Sequence, residues 1–193
     1  MINAQNYKNG VIKLWEVYKE FVLKAKKQMK DVNADLNYTE EGKRNKKNEL
    51  IQQIQVANER QGKELLNYIQ EGIEYLNRKL TPSTDPKKLL DTINLLKEIG
   101  STLNAEEILK ITEEFHQNPI AIKSINNVIE DRVKHIPFPP LYQIIKMLEV
   151  TRLYIEQAIA AAGSNELYQD TFEGWEFKTK IVEINIKDIP DKL

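Results

Sequence analysis

Cysteine is absent from all 193 residues. That excludes disulfide staples, thiolate metal ligands, iron–sulfur clusters and cysteine nucleophiles, and it suits a chain made and used in a reducing compartment. Histidine is nearly absent as well. His116 and His135 are the two, and neither has a His, Asp or Glu four residues further on, the spacing that lets one helix face hold a metal. Both are expected at helix ends, where the negative dipole favours them. No apolar run approaches the ~20 residues of a membrane span, and the opening MINAQNYKNG lacks the basic-then-apolar order of a signal peptide. A soluble chain with no membrane partner is expected. Charge of one sign is missing too: Lys plus Arg number 28 against 29 Asp plus Glu, a formal net charge of −1. Without a global field, any nucleic-acid or membrane attraction has to be local. Glycine-rich phosphate loops, a serine nucleophile elbow and a Walker-type lysine are all absent. No cofactor is implied.

The sequence does carry helical periodicity. Val11, Trp15, Tyr18, Val22, Ala25, Met29 and Val32 alternate steps of four and three, the rhythm of a helix that buries one narrow stripe. Leu14, Phe21 and Leu23 widen that stripe toward a second neighbour. The segment NADLNYTEEG breaks the pattern. Asn37 or Thr39 can cap a second helix there, with Glu40 and Glu41 beside its positive end. That helix is predicted to run from about Glu40 to Leu80 with Leu50, Ile54, Ala57, Leu66, Ile69, Ile73, Leu76 and Leu80 inward. Gly62 and Gly72 inside it each weaken it by up to about 1 kcal/mol relative to Ala, which calls for a close helix approach in return.

TPSTDP then supplies an N-cap at Asp85 and Pro86 at the first helical position. A helix through Leu89, Leu90, Ile93, Leu96 and Ile99 follows, stopped by Gly100 in a left-handed conformation. Asn104 and Glu107 form a capping box before Ile108, Leu109, Ile111 and Phe115. Pro119 opens a further helix that IPFPP ends, and Leu141 to Ile159 make a last long one. From Thr171 the signal changes to WEFKTKIVEINI, rich in aromatic and β-branched residues at period two. Trp175, Phe177, Thr179 and Ile181 share one strand face, and Val182, Ile184 and Ile186 the other. The expected fold is therefore mainly α. It has a long N-terminal helical hairpin over 1–80, a helical bundle over 81–163 and a β-prone C-terminal tail over 164–193 with one short β segment. A lone strand leaves its backbone groups unpaired. Trp175, Phe177, Ile181, Val182, Ile184 and Ile186 are thus candidates for a strand-pairing interface with another chain.

Charge is unevenly placed despite the neutral total. Lys24, Lys26, Lys27 and Lys30 end the first helix, while Lys43, Arg44, Lys46 and Lys47 open the second. With Asp31, Asp35, Glu40 and Glu41 among them, residues 24–47 carry net +4. A hairpin places these clusters at its tip, as candidate contacts for nucleic acid or an acidic partner, although exposed charge runs more often serve solubility. Residues 163–193 carry net −3 by the same count. Glu106, Glu107, Glu113 and Glu114 surround Lys110 in the pattern of a solvated helix face rather than an acid/base pair.

Two stretches, LNYTEEGKRNKKNELI and LNAEEILKITEEFHQNPIAIKSI, resemble the small helical proteins encoded in the structural gene modules of tailed phages and prophages of Gram-positive bacteria, commonly beside the capsid genes. The first shares the Tyr38–Thr39–Glu40–Glu41–Gly42 opening before a charged helix. The second shares a short acidic helix running into Asn118–Pro119 and an apolar helix. The resemblance covers about a third of the chain and implies no active site. It implies a non-enzymatic structural or capsid-assembly protein in the host cytoplasm during assembly, or in the virion, whose partners are other virion proteins or copies of itself. The rival from a different class is a small regulator or inhibitor that binds a nucleic-acid complex through the Lys-rich tip. An enzyme is the least supported reading, since no constellation of nucleophile, base and oxyanion donors is present.

Overall fold

A computed structural model describes residues 3–80, 84–129, 136–163 and 172–193, and they are predominantly α-helical. The chain divides into two compact units, one formed by Met1–Ile73 with Met147–Leu193 and the other by Glu74–Lys146. The division falls inside two helices, α3 (Lys63–Lys79) and α7 (Pro140–Gly163).

The first unit is built on α1 (Tyr7–Ala34), whose heptad stripe is buried as its spacing requires: Val11, Trp15, Tyr18, Val22, Ala25 and Met29 are all in the core. Asp35 leaves the helix with extended backbone, and Thr39 accepts a hydrogen bond from the Gly42 amide at 3.1 Å. That cap starts α2 (Glu40–Ala57), with Glu40 and Glu41 in its first turn, and α2 packs against α1 as the expected hairpin. A π-helical turn, Asn58–Gly62, separates α2 from α3. Its extra residue has a packing reason. Leu50, Ile54 and Ala57 keep a four-three rhythm, but the next buried positions are Gly62, Leu65 and Ile69. The five-residue step from Ala57 to Gly62 is what a π turn supplies. The sequence reading placed Leu66 inward; the π turn puts Leu65 there and leaves Leu66 half-buried.

The segment expected to be a strand is a helix, α8 (Phe172–Asp188). Trp175, Thr179, Val182, Ile186 and Ile189 are buried, again at alternating steps of four and three, so this run has a helical stripe interleaved with its period-two pattern. Phe177 and Ile184 face solvent and Ile181 is half-buried. Apolar residues on two helix faces imitate the alternation of a strand, and the tertiary slot beside α1 outweighs β propensity. The backbone groups that seemed to need another chain bond inside the helix, so the strand expected at Trp175, Phe177, Ile181, Val182, Ile184 and Ile186 is not found. Lys19 reaches Glu183 at 2.5 Å, the Lys8 ammonium donates to the Lys187 carbonyl at 2.6 Å, and the Leu193 amide donates to the Ala4 carbonyl at 2.9 Å. These contacts run α8 antiparallel to α1.

Two glycines bring α1 and α3 together. The Tyr7 ring lies over Gly72 and the Tyr68 ring over Gly10, and the two rings stack with centroids 5.2 Å apart and planes 10° from parallel. A Cβ at either glycine meets a tyrosine hydroxyl inside van der Waals contact. Gly72→Ala is therefore expected to lose up to about 2 kcal/mol, because overpacking of ~1–3 kcal/mol is set against the ~1 kcal/mol gained in helix propensity. Urea midpoints test this. Adding Tyr7→Phe should recover part of the loss, and a Gly72→Ala protein more stable than wild type would show that the rings move aside freely.

A partly buried polar relay joins three segments of the same unit. Tyr18 donates to Asn58 Oδ1 at 2.7 Å, and Asn58 Nδ2 donates to the Ile159 carbonyl of α7 at 3.2 Å. Beside it Gly62 packs on the Ile159 side chain, where an added Cβ would lie 2.9 Å from Cδ1. Leu148, Thr151, Ile155, Ala158 and Ala162 are the buried stripe of α7 in this unit.

The second unit contains α4 (Pro86–Ile99), α5 (Ala105–Thr112) and α6 (Pro119–Ile129), with Leu96, Ile108, Phe115, Ile122, Ile125 and Ile136 at its centre. The caps are those expected from sequence. Asp85 accepts from the Lys87 amide at 2.9 Å ahead of Pro86, and Asn104 and Glu107 exchange bonds at 3.0 and 2.8 Å. Gly100 differs from expectation: its φ of −58° is right-handed, and the chain continues into a 3-10 turn, Gly100–Thr102, in which Thr102 donates to the Ile99 carbonyl at 2.7 Å. The Asn126 side chain bonds both the amide and the carbonyl of Ile136, at 2.9 and 3.0 Å.

Candidate functional site

The basic hairpin tip was the first candidate, and the eight cations proposed for it have different surroundings. Lys24, Lys27 and Lys30 are exposed on α1. Lys26 is only 3 % exposed, with its ammonium 3.9 Å from the centre of the Trp175 ring, so it points into the core rather than toward a phosphate. On α2, Lys43 pairs with Glu40 at 3.4 Å and Lys46 with Glu49 at 2.6 Å; Arg44 is exposed and Lys47 half-buried. The hollow at this end is open and lined by Glu40, Glu41, Lys43, Arg44, Lys47 and Asn48, residues of α2 alone. Two carboxylates thus sit among three cations, which weakens the attraction for a phosphate backbone.

Lys26 is the cation at this tip whose protonation the fold shifts strongly. Burial lowers its pKa from 10.5 to about 8, Glu176 opposing that change and Lys30 adding to it. Below about pH 8 the ammonium is charged in both folded and unfolded chains, and folding bears the full desolvation cost. As pH rises from about 8 toward 10.5, the folded chain releases its proton first and the cost disappears. Lys26→Met is therefore expected to stabilise the fold by about 2 kcal/mol near neutrality, a value below the full shift because the Trp175 ring repays part of the desolvation. The gain should shrink as pH climbs past 8. Urea midpoints of both proteins from pH 6 to 9.5 check this, and a destabilised methionine variant at pH 7 would show the ammonium to be a net contributor. Burial also pushes the Tyr18 and Tyr7 hydroxyls above their ordinary range, with Tyr68 and then Glu71 adding to the effect at Tyr7.

The carboxylates flanking Lys110 have structural occupations. Glu107 completes the α5 capping box and Glu114 pairs with Lys88. His116 Nε2 lies 3.2 Å from the Thr112 hydroxyl, and His135 lies outside the described residues. Among the described residues no group of three His, Asp or Glu side chains is placed to hold a metal, and no helix is long and apolar enough to cross a membrane.

The six C-terminal candidates are divided by the helix they occupy. Trp175, Val182 and Ile186 belong to the core of their own unit, whereas Phe177 is 65 % and Ile184 60 % exposed, with Ile181 half-buried between them. Sequence reasoning overlooked Lys180 and Lys187, which are exposed on the same helix; three residues after Phe177 and Ile184 respectively, they border that outward stripe. A helical reading of the segment would have found them. Comparison with protein-family models, curated proteins and solved structures returns no match for this chain.

Proposed function

We propose that this protein is a non-catalytic assembly component of a tailed phage or prophage, binding virion proteins through its helix faces. The observation that carries the reading is α8: a helix already seated in its unit by one apolar face turns a second one, centred on Phe177 and Ile184, to solvent. Large exposed apolar side chains grouped on one surface mark protein contacts more often than chance exposure does. Ile120, 76 % exposed at the start of α6 beside Pro119 and Tyr142, is a second such place. The resemblance of residues 36–51 and 103–125 to phage structural-module proteins supplies the biological setting. Binding rests on helix faces, since α8 has no unpaired backbone to offer.

The test is physical association. The full chain is co-expressed with each product of a tailed-phage structural gene module, and complexes are sized by light scattering after gel filtration. A defined complex with a capsid, portal or scaffold subunit is expected. A chain that leaves the mass of every such product unchanged would remove the assembly reading.

A further inference from the structure

We propose that the outward face of α8 is a docking site for an acidic amphipathic helix of a partner protein. The inference rests on the reading of this chain as a non-catalytic binder, and adds to it the chemistry of what binds.

The face is defined by spacing. Phe177, Ile181 and Ile184 follow one another at steps of four and three, which at ~100° per residue keeps them on one line of the helix. That line lies opposite the one formed by Trp175, Val182 and Ile186, which are 2 %, 0 % and 4 % exposed. A single turn of the helix therefore separates a filled core from an uncovered apolar ridge. Helix-in-groove recognition uses such anchors, three and four residues apart, to seat an amphipathic partner.

Charge selects the partner. Lys180 and Lys187 are exposed and border one flank of the ridge. Of the carboxylates nearest that flank, Glu183 is bonded to Lys19 of α1 at 2.5 Å, and half-buried Glu176 lies near enough to Lys26 to act on its charge. What α8 offers a partner on that side is thus apolar and basic. A helix with leucine-like residues at a and d and Glu or Asp beside them complements both properties, the apolar ridge giving affinity and the lysines giving orientation and rate.

The same lysines argue against a second copy. In an antiparallel two-fold pairing of α8 with itself, each flank meets its own copy, and Lys180 and Lys187 are brought against Lys180 and Lys187. A parallel pairing sets them against the opposite flank, whose charged side chain among the described residues is Lys178, while Asp188 continues the ridge line itself. Both arrangements leave like charges beside a desolvated seam.

The probe is a fluorescent synthetic peptide of about three heptads, apolar at a and d and glutamate at the flanking positions, compared with a twin in which lysine replaces each glutamate. Binding to the full-length protein is followed by anisotropy. The glutamate peptide is expected to bind at least tenfold more tightly than its twin, with the difference narrowing as salt rises. Lys180→Glu with Lys187→Glu should invert the preference, whereas Lys97→Glu with Lys110→Glu, in the other unit, should leave it unchanged. Phe177→Asp should abolish binding of both peptides while circular dichroism stays that of wild type, because Phe177 supports no core. Equal affinity for the two peptides, or binding indifferent to Phe177, overturns the proposal. So does a wild-type dimer that Phe177→Asp dissolves, which would make a second copy the occupant, and so does capture by phosphatidylserine vesicles without peptide binding. Failure of the two readings is separable. A chain that binds virion subunits but neither peptide loses this site and keeps its assembly role; one that binds the glutamate peptide through Phe177 but no virion subunit keeps the site and loses the setting.

Discussion

Truncation after Gly163 is expected to abolish the cooperative unfolding transition of the unit formed by residues 1–73 and 147–193. α8 contributes Trp175, Val182 and Ile186 to that core, and Ile189 closes it just beyond the helix end. Each large apolar side chain contributes about 1.5–3 kcal/mol on full burial, so the four together represent roughly 6–12 kcal/mol, comparable with the ~5–15 kcal/mol that stabilises an entire domain. The loss is compounded on α1, where Trp15 and Lys26 would be uncovered on the side α8 now occupies. Polar contacts go as well, among them Lys19–Glu183 and the Tyr7 amide to the Asp191 carbonyl at 3.0 Å. Far-UV circular dichroism and a urea titration of the truncated and full-length chains decide it. A truncated protein that keeps the full-length midpoint would mean that α8 is an appendage, as a strand-like tail would have been.

Local signals foretold local structure. The heptad stripe of α1, the Thr39, Asp85 and Asn104 caps and the proline starts of α4 and α6 were legible because each is decided within a few residues by steric and hydrogen-bonding rules. Gly100 was a local exception, since the helix continues there into a 3-10 turn, and two further features depend on distant parts of the chain. The π turn at Asn58–Gly62 exists to bring Leu65 and Ile69 onto the face begun by Leu50 and Ile54, and it is seated by Ile159, about a hundred residues away. α8 has two apolar stripes whose sum looks like alternation. Only the slot beside α1 tells which stripe is inside.

The candidate sites were legible in composition and not in orientation. Eight cations between Lys24 and Lys47 looked like one patch, yet a helix places neighbours on different sides, so Lys26 turns inward to Trp175 while Lys24 and Lys27 stay in water. Position 26 directly follows the buried Ala25 of the stripe, and that adjacency was the available signal. For α8 the apolar residues were singled out in the sequence as a strand, and they form a helix. Their separation into core and ridge, and the value of Lys180 and Lys187, needed the helix.

Trp15→Ala is expected to destabilise the first unit by about 3–5 kcal/mol, the range for truncating a buried large aromatic. Trp15 sits in the α1 stripe at 2 % exposure, its ring 5.9 Å from that of Tyr18. It lines the α1–α8 seam with Ile12, Glu16, Lys19, Glu183, Ile186 and Lys187. Removing it opens a cavity where two helices meet, and the rigid backbones on either side can close only part of that space. The indole N–H has no hydrogen-bond partner among the described residues, so packing rather than polarity accounts for the residue. Trp15→Phe should accordingly lose only about 1–2 kcal/mol, because an aromatic ring still fills most of the volume and no donor is orphaned or regained. Denaturant midpoints of the two variants separate the contributions. Equal losses for Phe and Ala would assign the energy to a polar contact of the indole, and an unchanged midpoint for Ala would place Trp15 outside the core.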